Sequence, residues 1–243
     1  MDKLWKTLWK SPSKATHTRT VCTSKKSLDF SDIFFRFVFV FLRRLSGGGH
    51  TLTLNINSSD YEAAPFRYVS GATIKNLNVA GTVKTSMQFA GGLVGCAYGG
   101  EVVIKSCRSS VNVTGNCLDT CGGFFGGING TEVVKVTFVD CLFDGTFSGD
   151  GRDCGGFVGY DNSRPLYFYN CLVSGTFNAA TSGSATFSRK NGEPLNFKNC
   201  YYQTSFGTEQ GDDATSMSAT ILAERLGNKW KVESDKVLPI QMN

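Results

Sequence analysis

Val139-Asp140-Cys141-Leu142-Phe143-Asp144-Gly145-Thr146-Phe147 and Tyr169-Asn170-Cys171-Leu172-Val173-Ser174-Gly175-Thr176-Phe177 are one phrase written twice. Three further copies flank them: Lys75-Asn76-Leu77-Asn78-Val79-Ala80-Gly81-Thr82-Val83, Lys105-Ser106-Cys107-Arg108-Ser109-Ser110-Val111-Asn112-Val113, and a shorter Lys198-Asn199-Cys200-Tyr201-Tyr202. The aligned positions 77, 107, 141, 171 and 200 are separated by 30, 34, 30 and 29 residues, a spacing that identifies a repeat architecture.

A second motif interleaves with the first. It reads Ala90-Gly91-Gly92-Leu93-Val94-Gly95, then Cys121-Gly122-Gly123-Phe124-Phe125-Gly126, then Cys154-Gly155-Gly156-Phe157-Val158-Gly159, with weaker copies at Ala64-Pro65-Phe66 and Ala185-Thr186-Phe187. Each period therefore holds three short strand-like runs, separated by turn-formers such as Asp161-Asn162-Ser163-Arg164-Pro165 and Ser174-Gly175. No helical pattern lies between them. The fold class this predicts is all-β, a parallel β-helix of about 30 residues and three short strands per coil. A propeller blade needs four strands and a longer repeat, so it fits less well.

In a solenoid, each inward position meets its own counterpart one coil away. The spacing predicts an aromatic and aliphatic ladder of Phe66, Leu93, Phe124, Phe157 and Phe187. It predicts a second, small apolar column of Leu77, Cys107, Cys141, Cys171 and Cys200. Asn76, Ser106, Asp140, Asn170 and Asn199 form a polar column suited to a turn whose side chains hydrogen-bond between coils. The tetrad glycines Gly95, Gly126 and Gly159 are expected at a sharp turn or where a side chain would strike the adjacent coil.

The Gly92-Leu93-Val94-Gly95 tetrad, with its variants from Gly123 to Gly126 and Gly156 to Gly159, resembles the GLUG motif of bacterial surface repeat proteins. Gly47-Gly48-Gly49-His50-Thr51-Leu52-Thr53-Leu54 is similar to the opening coil of such proteins, and the resemblance covers about residues 47 to 243. It implies a right-handed parallel β-helix, export, and display at the cell surface or outside the cell as part of a larger adhesin-like protein. The partners it implies are a surface protein or a glycan. It brings no catalytic residues. Two departures stand out: Ser46 and Gly47 replace the usual aspartate before the glycine-histidine step, and no export signal is visible.

The chain has 243 residues and a net charge of +5, but the charge is unevenly placed. Residues 1 to 46 carry 10 Lys+Arg against 3 Asp, or +7, and no glycine. The other 197 carry 15 against 17, or −2, with all 28 glycines. Basicity thus belongs to one segment, which disfavours nucleic acid as a partner of the repeat domain. Within that segment, Leu4, Trp5, Leu8 and Trp9 form a short basic amphipathic pattern, and the apolar run Ile33 to Leu42 is too short to span a bilayer. Three readings stay open: a weak membrane-surface contact, one β-strand of the following fold, or a displaced start that is not native coding sequence. The domain division expected is 1–46 as a basic, glycine-free segment, disordered or non-native, 47–206 as β-helix repeats and 207–243 as a C-terminal cap. In that cap, Met217, Ile221, Leu222 and Leu226 predict a helix stopped by Gly227, and two strands flank Glu233-Ser234-Asp235. It is expected to cover the end of the stack.

The nine cysteines are odd in number and fall at repeat spacing, so they read as buried small hydrophobes rather than a disulfide framework. Cys117, Cys121 and Cys154 lack the CxxC pair or histidine that a zinc site needs. Parallel β-helices include pectin-degrading enzymes, and Gly211-Asp212-Asp213 resembles a polygalacturonase element, but the Asn-Thr-Asp, Gly-His-Gly and Arg-Ile-Lys companions are missing. Asp140, Asp144, Asp150, Asp153 and Asp161 fall mostly in turns, where Asp is common. The expectation is a non-enzymatic repeat module, adhesin-like or a spacer, with no catalytic residues, metal or cofactor. The alternative is a β-helix that binds or degrades polysaccharide along one flank.

Overall fold

The computed structural model describes residues 20–21, 28–29, 39–40, 44–129, 134–178, 181–189 and 195–241. The chain winds past three sheets, A, B and C, in a fixed order. Strands β1 (Thr20–Val21), β2 (Leu28–Asp29) and β3 (Phe39–Val40) enter A, B and C in turn, and β4 (Arg44–Ser46), β5 (Thr51–Ser58) and β6 (Phe66–Ser70) pair with them in parallel. Next come β7 (Thr73–Lys75) in A, β8 (Asn78–Thr85) in B, and β9 (Val94–Lys105), which begins in C and ends in A. β10 (Arg108–Asp119) and β11 (Phe125–Ile128) complete that coil. β12 (Val134–Val139), β13 (Leu142–Phe143), β14 (Thr146–Arg152) and β15 (Val158–Tyr160) form the next. β16 (Leu166–Tyr169), β17 (Leu172–Val173), β18 (Thr176–Phe177) and the bridge at Ala185 follow, before β19 (Leu195–Lys198) and β20 (Tyr201–Tyr202). The result is a parallel β-solenoid with coils of about 30 residues.

Its core consists of like residues stacked on like. Ile74, Ile104, Phe138, Phe168 and Phe197 are in register across sheet A, and Phe138 and Phe168 stack with ring centroids 5.2 Å apart. Leu93, Phe124, Phe157 and Phe187 rise beside them, with Phe124 and Phe157 4.9 Å apart and Phe157 and Phe187 5.1 Å apart. A third stack, Phe147, Phe177 and Phe206, fills the side lined by sheet B. A fully buried Phe contributes on the order of 1.5–3 kcal/mol, so each ring in these stacks is a substantial part of the stabilisation. Phe66 does not join the Leu93 ladder. It stands in register with Val94, which pairs with Phe125, because Pro65 takes the place of Leu93 where the tetrad glycines are missing.

The C-terminal segment divides into two parts with different tasks. Residues 203–214 close the end of the stack. Phe206 is fully buried on Phe147 and Phe177, and β21 (Asp212–Asp213) pairs with β20. The Gln210 side chain stands in for a missing strand: its Oε1 accepts from the Phe187 and Ser188 N–H groups (2.9 and 2.8 Å), and its Nε2 donates to the Ser188 carbonyl at 2.8 Å. Helix α1 (Ala219–Leu226) is capped by Ser218, and Gly227 ends it at φ 102°. The antiparallel hairpin β22 (Trp230–Glu233) and β23 (Lys236–Pro239) turns on Ser234 and Asp235, both at positive φ. Helix and hairpin do not sit over the end. Leu222, Leu226, Trp230 and Val237 bury Leu142, Leu172 and Tyr201, which lie in one register on the flank of sheet B. Gln241 then exchanges hydrogen bonds with Asn78 (2.9 and 2.7 Å), far back along the solenoid. The helix and two strands expected from sequence are present, in a flank placement. Its cause is a stripe of large apolar side chains on the outer side of sheet B that has to be covered.

Candidate functional site

Each coil turns two corners on residues in the left-handed backbone region. Between sheets A and B the corner residues are Asn76, Ser106, Asp140, Asn170 and Asn199, with φ between 50° and 58°. Asn and Asp tolerate this conformation better than most side chains. Their amides also ladder between coils: Asn170 donates to Asp140 at 3.0 Å and Asn199 to Asn170 at 3.0 Å. The last amide in the column, Asn199, donates to the Arg225 carbonyl at the end of α1 (2.8 Å). Each of these residues is followed by one of the small column, Leu77, Cys107, Cys141, Cys171 and Cys200. All five are buried, and their backbones hydrogen-bond coil to coil.

The corner between sheets B and C has the same backbone and different residues. Glu62, Phe89, Thr120, Asp153 and Gly183 lie at φ between 53° and 68°, followed by Ala63, Ala90, Cys121, Cys154 and Ser184. Here the glycine tetrads find their role. A Cβ on Gly95, Gly126 or Gly159 would overlap the carbonyl of Glu62, Phe89 or Thr120, the corner residue one coil earlier. A Cβ on Gly92, Gly123 or Gly156 would strike the carbonyl of Gly123, Gly156 or Thr186 in the coil that follows. Leu93, Phe124 and Phe157, between these glycines, point into the core. Close approach of neighbouring coils therefore requires the glycines.

The cysteines occupy a local niche. The thiols of Cys107, Cys141, Cys171 and Cys200 donate to the carbonyl two residues earlier, at 3.3, 3.2, 3.3 and 3.5 Å, across the left-handed corner. Cys121 and Cys154 do the same at 3.5 and 3.1 Å. A thiol is small enough for the corner and offers a weak donor to a carbonyl there. Burial pushes the Cys107 and Cys171 thiols upward, and a hydrogen bond to its neighbour Cys154, with burial, does the same to Cys121. Cys96 is pushed up to about 12 by burial and by the nearby Glu62 carboxylate. Cys96, Cys107, Cys121 and Cys171 are therefore protonated, unreactive thiols at neutral pH. Among the described residues no three His, Cys, Asp or Glu side chains gather where they could hold a metal ion. The side chain of Cys117 lies outside the described residues, as do the amphipathic stretch Met1 to Lys10 and most of the run Ile33 to Leu42.

Of the five turn acids, Asp140, Asp144, Asp153 and Asp161 are engaged in structure, and Asp150 is exposed. Asp140 is in the amide ladder, and Asp144 takes a forked contact from Arg108 at 2.9, 3.0 and 2.6 Å. Asp153 faces Arg189 at 3.5 Å, and buried Asp161 accepts from the Ser163 N–H at 3.1 Å. Asp213 accepts from the Thr215 N–H at 2.8 Å. The backbone bond to Thr215 holds the Asp213 carboxyl below the usual range.

The outward faces carry the remaining chemistry. The outer side of sheet B is rich in Thr, Asn and Ser: Asn55, Thr82, Asn112, Thr146 and Thr176 share one register. Sheet A is different. Lys75, Lys105, Val139, Tyr169 and Lys198 form one register line, and Thr73, Val103, Thr137, Tyr167 and Asn196 form the next. The Tyr167 and Tyr169 rings lie parallel at 6.4 Å, and the Lys135 ammonium sits 4.9 Å from the Tyr167 ring centre. Sequence reading passed over this face. The signal was a lysine immediately before the corner residue in three copies of the repeat, at Lys75, Lys105 and Lys198. No helix among the described residues is long and apolar enough to cross a membrane. Comparison of the chain with family models, curated proteins and solved structures finds no match in any of the three.

Proposed function

We propose that the chain is a non-enzymatic β-helical repeat module of a bacterial cell-surface or secreted protein, acting as an adhesin-like element or a structural spacer. One observation carries the reading: the repeated side chains go into stacking one coil on the next. The tetrad glycines admit the neighbouring corner, the cysteines fill the corners, and Asp140, Asp144, Asp153 and Asp161 are tied to the amide ladder, Arg108, Arg189 or a backbone N–H. The similarity of Gly92-Leu93-Val94-Gly95 to the GLUG motif supports surface display. Protease treatment of intact cells of the source organism tests the location. Loss of the chain from intact cells, with cytoplasmic markers untouched, agrees; a chain degraded only after lysis overturns it. Incubation with a polysaccharide panel tests the non-enzymatic part, which cleavage abolished by Asp144→Asn would overturn.

A second reading, a β-helix that binds carbohydrate along one flank, is favoured by the tyrosine pair and lysine line on sheet A.

A further inference from the structure

We infer that the outer face of sheet A binds an extended acidic polysaccharide of the uronate class, laid across the strands along the line Lys75–Lys105–Val139–Tyr169–Lys198. The inference rests on the carbohydrate-binding reading above and gives it a face, a direction and a ligand charge.

Three observations carry it. The first is uncompensated charge. Lys75 and Lys105 stand directly in register on neighbouring strands, and both are exposed. Like charges placed opposite one another in a sheet are destabilising. No ion pair relieves Lys75, Lys105 or Lys198 among the described residues. The acid in the same sheet, Glu101, is already engaged by Lys135 at 3.2 Å. Lysines that guard a sheet belong on its edge. β7 and β9, however, have partners on both sides in sheet A, so edge protection does not account for these two.

The second observation is the aromatic pair. Tyr167 and Tyr169 point outward from β16 with their rings parallel, partly exposed, on the same face and one strand in from its edge. Lys135 lies over Tyr167, and Tyr169 is in register with Lys198. A tyrosine offers an apolar ring with a polar tip, which suits the C–H face of a sugar ring and its hydroxyl rim together.

The third is charge density, which separates acidic sugars from nucleic acid. The six strands from β4 to β19 span about 24 Å at roughly 4.8 Å per strand. Over that length the face presents Arg44, Lys75, Lys105, Lys135 and Lys198 against Glu101. Duplex DNA carries one charge per about 1.7 Å, far denser than this array. Residues 47–243 bear a net −2, which further opposes a dense polyanion. A polymer with one carboxylate per sugar matches lysines placed one to three strands apart.

Calorimetric titration of the full chain with a polygalacturonate oligomer tests the inference. The comparison ligands are a neutral β-glucan oligomer and single-stranded DNA of similar length. The expected result is saturable binding of the uronate oligomer, weaker in high salt. Lys105→Gln and Tyr169→Ala should each weaken it at least about fivefold while the chain stays folded, with Lys105→Gln melting no lower than the parent because it removes a like-charge contact. Lys84→Gln, on sheet B, should leave it unaltered. Binding of the neutral oligomer alone would overturn the ligand class while leaving the carbohydrate reading in place. DNA binding as tight as uronate, or uronate binding indifferent to Lys105→Gln and Tyr169→Ala, would overturn the inference as well. Failure of both sugars to bind would overturn the carbohydrate reading and the inference together.

Discussion

The two corners of each coil share a backbone and differ in what stabilises it. At the corner between sheets A and B, Asn76, Asp140, Asn170 and Asn199 suit the left-handed conformation, and three of them hydrogen-bond to one another. At the corner between B and C, Glu62, Phe89 and Thr120 hold the same conformation without that preference, and a glycine of the following coil presses on each carbonyl. The first corner is therefore specified locally, by side chains that favour the turn. The second is specified from outside, by packing against Gly95, Gly126 and Gly159. Backbone strain of this kind persists only where the surroundings over-determine it.

The contrast can be broken at either corner. The largest effect belongs to Gly159→Val, which should cost about 3 kcal/mol or more in denaturant unfolding, because the Thr120 and Cys121 backbone cannot withdraw. Next comes Asn170→Ala, expected to cost about 2 kcal/mol: part for an alanine in the left-handed region, part for the amide bonds to Asp140 and Asn199. Asn170→Gly should recover the backbone share alone, and a glycine variant as damaging as alanine would show that the conformation is not what asparagine supplies. The smallest effect has the opposite sign. Thr120→Asn relieves a β-branched residue at φ 57° and should raise stability by roughly 0.5–1 kcal/mol. A loss there would mean that Thr120 contributes through its hydroxyl contact with the Asp119 carbonyl (2.6 Å) rather than enduring its backbone.

The same contrast explains what was legible in the sequence. The period, the cysteine column and the polar corner were legible because identical residue types recur at one register, and Asn or Asp at a turn announces its conformation. The helix and hairpin were legible from Gly227 and the Ser234-Asp235 turn. The second corner was not, since Glu62, Phe89 and Thr120 resemble one another in nothing a pattern can detect. Nor was the flank position of α1. Leu142, Leu172 and Tyr201 each belong to a strand of two residues, too short for alternation to tell inside from outside. The lysine line was written plainly in the repeat, but its meaning needs the register of sheet A, which places Lys75 beside Lys105.

The central claim is that the tetrad glycines exist for close approach between coils. Gly126 and Gly71 provide the direct measurement. Gly71 adopts φ 55° with nothing within 4 Å of the Cβ it lacks, whereas Gly126 has no left-handed backbone and the Phe89 carbonyl lies where its Cβ would be. Equilibrium unfolding of Gly71→Ala and Gly126→Ala, side by side, separates conformation from space. The account predicts a loss of about 1–2 kcal/mol for Gly71→Ala and about 3 kcal/mol or more for Gly126→Ala. A Gly126→Ala protein as stable as Gly71→Ala, or more stable, would contradict it.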